Sequence, residues 1–277
     1  MTTIQHAWQA ARQILLPLES ATLDAQLLLA RAMDVERTYL LAHGETLLQA
    51  DELATYERWI SRRAKGEPYA YLIGEQAFYD LVFKVTPDVL IPRSETELLV
   101  EQAIAYARTL ANPVIADIGT GSGAIAVTVA KHVPNATVYA VDISKAALQV
   151  AQENAQANQV NVTFLHGSLA MPLIERGIHV DLLLANLPYI ATDEMHTLEV
   201  SQHEPHLALD GGADGLILVR ELLAQVPLVC RRGALILLEI GSGQGSATLE
   251  AAAHLHPSEA VVMQDYAGHE RVVRIRL

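Results

Sequence analysis

The residues best suited to chemistry lie in two short stretches. The first, residues 115–129, reads I-A-D-I-G-T-G-S-G-A-I-A-V-T-V. An apolar run meets an acid, Asp117, and then Gly119, Gly121 and Gly123 alternate with Thr120 and Ser122 before apolar residues resume at helical spacing. That is the pattern of a buried strand turning into a helix. Glycine takes positive φ and leaves no Cβ between main chain and ligand, so a nucleotide-like cofactor can lie against the strand end. The second stretch is Asn186-Leu187-Pro188-Tyr189, which ends the apolar run D-L-L-L-A. Pro188 forces Leu187 into an extended conformation, which lets the Asn186 side-chain oxygen and the Leu187 carbonyl face one pocket, while Tyr189 supplies a flat face. Two acceptors and an aromatic ring suit a planar nitrogen, in an amide or on a base, whose lone pair is delocalised. Gripping its two N–H bonds favours the tetrahedral, positive nitrogen that forms as it attacks a methyl donor.

The glycine turn alone fits two cofactors. From Gly119 the chain satisfies G-x-G-x-x-A through Ala124, and Asp142 follows near where a dinucleotide fold keeps its ribose-binding acid. A plain βα turn fits as well. Asp117 stands directly before the loop, however, where a pyrophosphate would meet its negative charge. S-adenosylmethionine carries an ammonium and a sulfonium and no phosphate, so Asp117 near its methionine end and Asp142 on its ribose make electrostatic sense. The tetrapeptide at Asn186 then selects methyl transfer over hydride transfer.

These residues need a scaffold, and the chain supplies one from residue 113 onward. Strand and helix alternate: a strand at 114–118, a helix at 124–132, a strand at 137–141 ending at Asp142, a helix at 146–157, and strands at 162–165 and 180–185. A helix at 216–229, a strand at 234–239 and closing strands near 261–262 and 272–275 follow. Such alternation predicts an α/β fold, a parallel sheet with helices on both faces. Ligands bind at the carboxyl ends of its strands, where Asp117, Asp142, Ser168 and Asn186 all fall. Ahead of it, residues 4–65 repeat apolar positions at three and four, which predicts a small helical bundle suited to recognition. Residues 66–92 turn aromatic and β-branched around Tyr79-Asp80, which predicts a linking β-hairpin. Domains are therefore expected at 1–66, 67–92 and 93–277. Ser94 with Glu97 reads as a capping box, which leaves Arg93 and Glu95 unexplained.

The whole chain sets bounds. Its 32 acids against 19 bases give a net charge of −13 over 277 residues, which disfavours loose binding to nucleic acid or anionic membrane. Cys230 is the one cysteine, so neither an intrachain disulfide nor a cysteine metal cluster can form. No metal site is expected. The first residues lack a continuous signal-peptide core and no apolar run reaches spanning length, so a cytoplasmic protein is expected.

Seven segments then resemble one family in the right order along nearly the whole chain: G-E-P-Y-A-Y-L-I-G, V-L-I-P-R-S-E-T-E, D-I-G-T-G-S-G-A-I-A, N-L-P-Y-I, E-P-H-L-A-L-D-G-G-A-D-G-L, L-L-E-I-G-S-G-Q-G and D-Y-A-G-H-E-R-V-V. Together they resemble the release-factor glutamine methyltransferases, the HemK/PrmC family. The resemblance implies a Rossmann-like class I S-adenosylmethionine-dependent methyltransferase sheet behind an N-terminal helical domain that contacts the substrate. It implies N5-methylation of the glutamine in the Gly-Gly-Gln loop of class-1 peptide-chain release factors, by a protein expected to be a monomer. By position, Gly119, Thr120, Gly121, Ser122, Gly123 and Asp142 would hold the cofactor, with Asn186 beside them. Asn186, Leu187, Pro188 and Tyr189 would hold the glutamine.

Three departures from the family pattern stand out. Leu187 replaces the first proline of Asn-Pro-Pro-Tyr but keeps the carbonyl. Ser168 and Leu169 stand where an acid and often an aromatic residue meet the adenine. Ser94 replaces a proline. Asn-Leu-Pro-Tyr is also the spelling of ribosomal-RNA adenine dimethyltransferases, which makes adenine N6-methylation of ribosomal RNA the alternative; such an enzyme is expected to be basic and lacks a preceding helical domain. A non-catalytic adaptor is a third reading, opposed by the intact Asn186 and Tyr189. His203, Glu204 and Asp265 are left between substrate contact and structural role.

Overall fold

The computed structural model describes residues 2–277, Met1 and the side chain of Glu199 excepted. The chain divides into two compact units, Met1–Glu75 and Gln76–Leu277.

The first unit is helical: α1 (Ile4–Ile14), α2 (Ala21–Ala32), α3 (Arg37–Ala42), α4 (Ala50–Arg63) and α5 (Tyr69–Ile73). Thr3 caps α1 by accepting from the His6 N–H, and Gln49 with Glu52 forms a capping box on α4. Ile4, Leu15, Leu28, Leu29, Leu40 and Tyr56 are almost completely buried and form its core. Asp24 is buried with them. Its carboxylate accepts from Arg63 Nε and Ser20 Oγ, both at 2.7 Å, so the charge is paired rather than left in apolar surroundings.

The aromatic and β-branched texture of residues 67–92 predicts a hairpin linker over that whole range. Within that range residues 69–73 form helix α5, which ends at Gly74 in the left-handed conformation. The hairpin is shorter, β1 (Glu75–Phe78) paired with β2 (Leu81–Lys84). The Pro68 start and the Gly74 stop are helix punctuation that the aromatic texture of this segment hides.

The second unit is built on seven strands. In chain order it contains α6 (Glu97–Ala107), β3 (Val114–Ile118), α7 (Ala124–His132), β4 (Thr137–Asp142), α8 (Lys145–Ala157), β5 (Thr163–His166), α9 (Met171–Ile174), β6 (Val180–Ala185), α10 (Thr192–Met195), α11 (Ile217–Val229), β7 (Cys230–Glu239), α12 (Gly245–Ala252), β8 (Glu259–Gln264) and β9 (Glu270–Arg276). The sheet order is β5-β4-β3-β6-β7-β9-β8. The first five strands are parallel, but β9 runs antiparallel to both β7 and β8, so the sheet is mixed rather than parallel throughout. The reason is local: β8 and β9 are joined by the short turn around Gly268, with no crossover helix to make them parallel.

Two apolar layers sandwich this sheet, one containing α6 and α7, the other α11 and α12. The register aligns Ile118 with Val141 and Ala185, and Ala185 with Leu238. The next residues, Gly119, Asp142, Asn186 and Glu239, therefore form one row along the carboxyl edge. The chain reverses its direction across the sheet between β3 and β6, which opens a crevice at that row.

The expected capping box at Ser94 does not form. Residues 94–96 make a single 3-10 turn before α6, the Ser94 hydroxyl bonds Glu95, and the Glu97 carboxylate accepts the Tyr79 N–H at 2.9 Å. The extra turn moves the helix start to Thr96 and frees Glu97 to anchor the hairpin.

Candidate active site

The glycine turn after β3 is fastened mainly by backbone. The N–H groups of Gly119 and Thr120 both donate to the Val141 carbonyl, at 2.8 and 3.0 Å, and Gly121 N–H donates to Asp142 Oδ2 at 2.9 Å. Gly121 has φ +55, and a Cβ there would meet nothing within 4 Å, so its face is left open. Asn154 of α8 holds the turn from behind, donating to the Ser122 carbonyl at 2.8 Å while bonding both backbone groups of Lys84.

A cleft of about 330 Å³ opens above this turn, walled by Gly119, Thr120, Gly121, Ser122, Asp142, Ser168, Leu169, Asn186, Leu187 and Pro188 among others. Two residues predicted to hold the cofactor are not on its wall. Asp117 is fully buried beneath the turn, where Oδ2 accepts the Thr120 hydroxyl at 2.5 Å and the Ala126 N–H at 3.2 Å. It therefore ties the turn to the start of α7 rather than facing the cofactor's cationic end, and burial pushes its carboxyl up to about 7. Gly123 is also set back. Its missing Cβ lets α7 approach α8, since one would sit 3.1 Å from Ala151 Cβ.

Asp142 is placed at the cleft edge with its carboxylate accepting from Gly121 and Ser144 N–H groups, the latter at 2.8 Å. Burial pushes its carboxyl above the usual carboxylate range, against those hydrogen bonds. Each oxygen keeps a lone pair for a ribose hydroxyl. Ile143, which the sequence reading passed over, is 53% exposed on the same wall and offers an apolar face beside that acid.

This wall fits S-adenosylmethionine better than a dinucleotide. Arg93 is the one cation among its described residues, and Arg93 is already paired with buried Glu204. A pyrophosphate would find acids at Asp142 and Asp88 and little positive charge, whereas an uncharged ribose and adenine fit an open glycine face and a carboxylate.

Behind the tetrapeptide lies a second, smaller cavity of about 230 Å³. Asn186 and Leu187 belong to both walls, Pro188 to the cleft, and Tyr189 to the second cavity together with Glu239 and Arg93. The loop is held from several distant segments. Asn186 Nδ2 donates to Thr96 Oγ1 at 3.2 Å, and Gln244 Nε2 donates to the Tyr189 carbonyl at 2.9 Å. Gly211 and Gly215 come so close that a Cβ would sit 2.6 Å from the Pro188 oxygen and 2.2 Å from the Tyr189 oxygen. That is the physical content of the D-G-G-A-D-G-L segment: its glycines admit the loop. Glu204 acts similarly from E-P-H, accepting the Ile91 N–H at 3.0 Å and pairing with Arg93, which fixes V-L-I-P-R at the mouth. Asp265 binds its own loop, Ala267 N–H, His269 N–H and Arg271. Both acids are structural.

Thr96 and Glu239 escaped the sequence reading. Thr96 was hidden in a segment read as a helix cap. Glu239 carried a usable signal, because an acid ending the buried run A-L-I-L-L repeats the pattern of Asp142 at the end of its own strand.

A seven-stranded mixed sheet with a glycine turn at its switch point, an acid on the next strand and Asn-Leu-Pro-Tyr on the one beyond defines a class I S-adenosylmethionine-dependent methyltransferase. Comparison with known proteins agrees. The chain matches the family described as PrmC N-terminal domain over residues 6–74 and the methyltransferase small domain over residues 94–212. A release factor glutamine methyltransferase from Moorella thermoacetica is 44% identical, covering 98% of this chain and 97% of its own length. One from Geobacter sulfurreducens is 39% identical, covering 94% and 90%. Among solved structures, the hMettl16 catalytic domain, 12% identical, superposes with a TM-score of 0.56 over 81% of each chain and shares the fold. The chain belongs to the release factor glutamine methyltransferase family.

Proposed function

We propose that this protein methylates the side-chain amide of the glutamine in the Gly-Gly-Gln loop of class-1 peptide-chain release factors. The observation that carries this reading is the placement of Asn186 on the wall between the two cavities, its NH2 turned toward Thr96. Its Oδ1 is thereby left as the acceptor. S-adenosylmethionine, when bound, supplies a methyl group on a sulfonium. The turn from Gly119 to Ser122 and the Asp142 carboxylate hold that cofactor through its backbone-facing side and its ribose, with Ser168, Leu169 and Ile143 around the base.

Asn186 Oδ1 and the Leu187 carbonyl accept the two N–H bonds of the substrate amide, and Tyr189 packs against its plane. Both acceptors gain strength as the nitrogen becomes positive, so they lower the barrier more than they tighten ground-state binding. Burial raises the Tyr189 phenol, which keeps the ring neutral beside the amide. The helical unit, which matches the PrmC N-terminal domain, is assigned the contact with the release factor. The net charge of −13 and a wall holding one paired arginine disfavour ribosomal RNA as the acceptor.

The test is methyl transfer from labelled S-adenosylmethionine to a purified class-1 release factor, to the same factor with its loop glutamine replaced, and to ribosomal RNA. Label in the intact factor alone is expected. Label in the RNA, or in the replaced factor, contradicts the proposal.

A further inference from the structure

The Asn186 amide needs a definite orientation, and its visible partner does not impose one. A hydroxyl both donates and accepts, so Thr96 taken without its neighbours can satisfy Asn186 Nδ2 or, after a flip of the amide, Asn186 Oδ1 equally well. Only the first orientation leaves an acceptor for the substrate. A carboxylate, in contrast, can only accept. Glu239 is the carboxylate in position: strand register puts it beside Asn186 at the end of the neighbouring strand, it is 1% exposed, and it lies on the wall of the same second cavity.

We propose that Glu239 is a positioning residue that locks the Asn186 amide with its NH2 group toward the β7 end and its oxygen toward the acceptor nitrogen. The inference rests on the glutamine methyltransferase reading. Thr96 and Asn186 are both within hydrogen-bonding reach of the Glu239 carboxylate, and its Oε2 has no partner of its own. A buried carboxylate with an unsatisfied oxygen costs stability. Burial pushes its carboxyl up to about 7, with Thr96, Arg271 and Asn186 favouring the charged form and Glu95 opposing it. A structural role alone would be served better by an apolar side chain of that size.

Glu239→Gln isolates the effect, because glutamine keeps the size but can donate as well as accept, which permits the flipped amide. Glu239→Asp keeps an acceptor-only group. In single-turnover transfer to the release factor, Glu239→Gln is expected to be slower by about tenfold to a hundredfold, the scale of a misplaced reacting contact. Glu239→Asp should recover part of that loss, and the affinity for S-adenosylhomocysteine by calorimetry should stay within about twofold of wild type in both. In an Asn186→Ala background, Glu239→Gln should cost little more, since the group it orients is gone. A wild-type rate in Glu239→Gln, or an equal loss in both backgrounds, overturns the proposal.

If wild type itself fails to label the factor, the reading of function fails separately, and a measurement without turnover still decides. With asparagine-selective ¹⁵N labelling, the Asn186 side-chain NH2 resonances, assigned by their loss in Asn186→Ala, are expected to shift or broaden in Glu239→Gln. Unchanged resonances overturn the lock.

Discussion

The two sides of the Asn-Leu-Pro-Tyr loop are built differently. On the cleft side the contacts are largely main chain: the N–H groups of Gly119 and Thr120 on the Val141 carbonyl, and Asp142 on Gly121 and Ser144, residues close in sequence or in paired strands. The loop itself, and the face it turns to the second cavity, is held instead by side chains brought from far along the chain: Thr96 of the cleft wall to Asn186, Gln244 to Tyr189, and Arg93, shared by both walls, to Glu204. A backbone-built wall suits a cofactor shared by many enzymes, because it reads shape and hydroxyls. A side-chain wall suits a particular acceptor. The comparison makes separable predictions for binding and for turnover.

Removing a transition-state acceptor should do most harm to turnover. Asn186→Ala is expected to lower methyl transfer by at least about a hundredfold while leaving cofactor affinity nearly unchanged, as measured by single-turnover kinetics beside calorimetry. Parallel losses in both would erase the distinction between the two sides. Gly215→Ala comes next. Its Cβ would press on the Tyr189 oxygen at 2.2 Å from a backbone with φ +74, so the loop must move. A loss of about 1–3 kcal/mol in stability is expected in denaturant titration, with slower transfer at saturating cofactor. A variant as active as wild type would show that the loop position tolerates displacement.

Asp142→Ala belongs to the other side. It should weaken S-adenosylhomocysteine by about tenfold or more, the scale of losing hydrogen bonds to a charged acceptor, with turnover recovered at saturating cofactor. Unchanged affinity would remove Asp142 from the ribose. Asp117→Asn should affect turnover least and stability in a pH-dependent way. The folded carboxyl titrates at about 7 against an ordinary value of 3.8, so the folded state holds a proton that the unfolded state has released between those limits. Its contribution is therefore fully present below about pH 4 and lost as pH rises to about 7. The stability of Asp117→Asn relative to wild type should increase over that window and then level off; a constant difference would mean that Asp117 titrates normally.

The same contrast explains what was legible in the sequence. The glycine turn, Asp142 and the tetrapeptide could be read because each is a local pattern tied to strand ends. The sheet's central strands followed from apolar runs with helices between them. Asp117 was misjudged because sequence shows that an acid precedes a turn but not which way its side chain points, and here the Thr120 hydroxyl and the Ala126 N–H draw it under the backbone. Gly123 was misjudged for a related reason: a glycine that meets a ligand and one that meets a neighbouring helix look alike in one dimension. Thr96 depends on a 3-10 turn that no local pattern encodes, whereas Glu239 is marked as a strand-end acid by its own run but meets Asn186 only through strand register.

The most direct test of the central claim is to map the methyl group after reaction with an intact class-1 release factor, by tandem mass spectrometry of the peptide that carries the Gly-Gly-Gln loop. One methyl on the glutamine side-chain nitrogen, absent from the Asn186→Ala reaction, is the result expected. A methyl on any other residue of the factor, or an unmodified loop beside a modified RNA, would contradict the assignment of the second cavity to a glutamine amide.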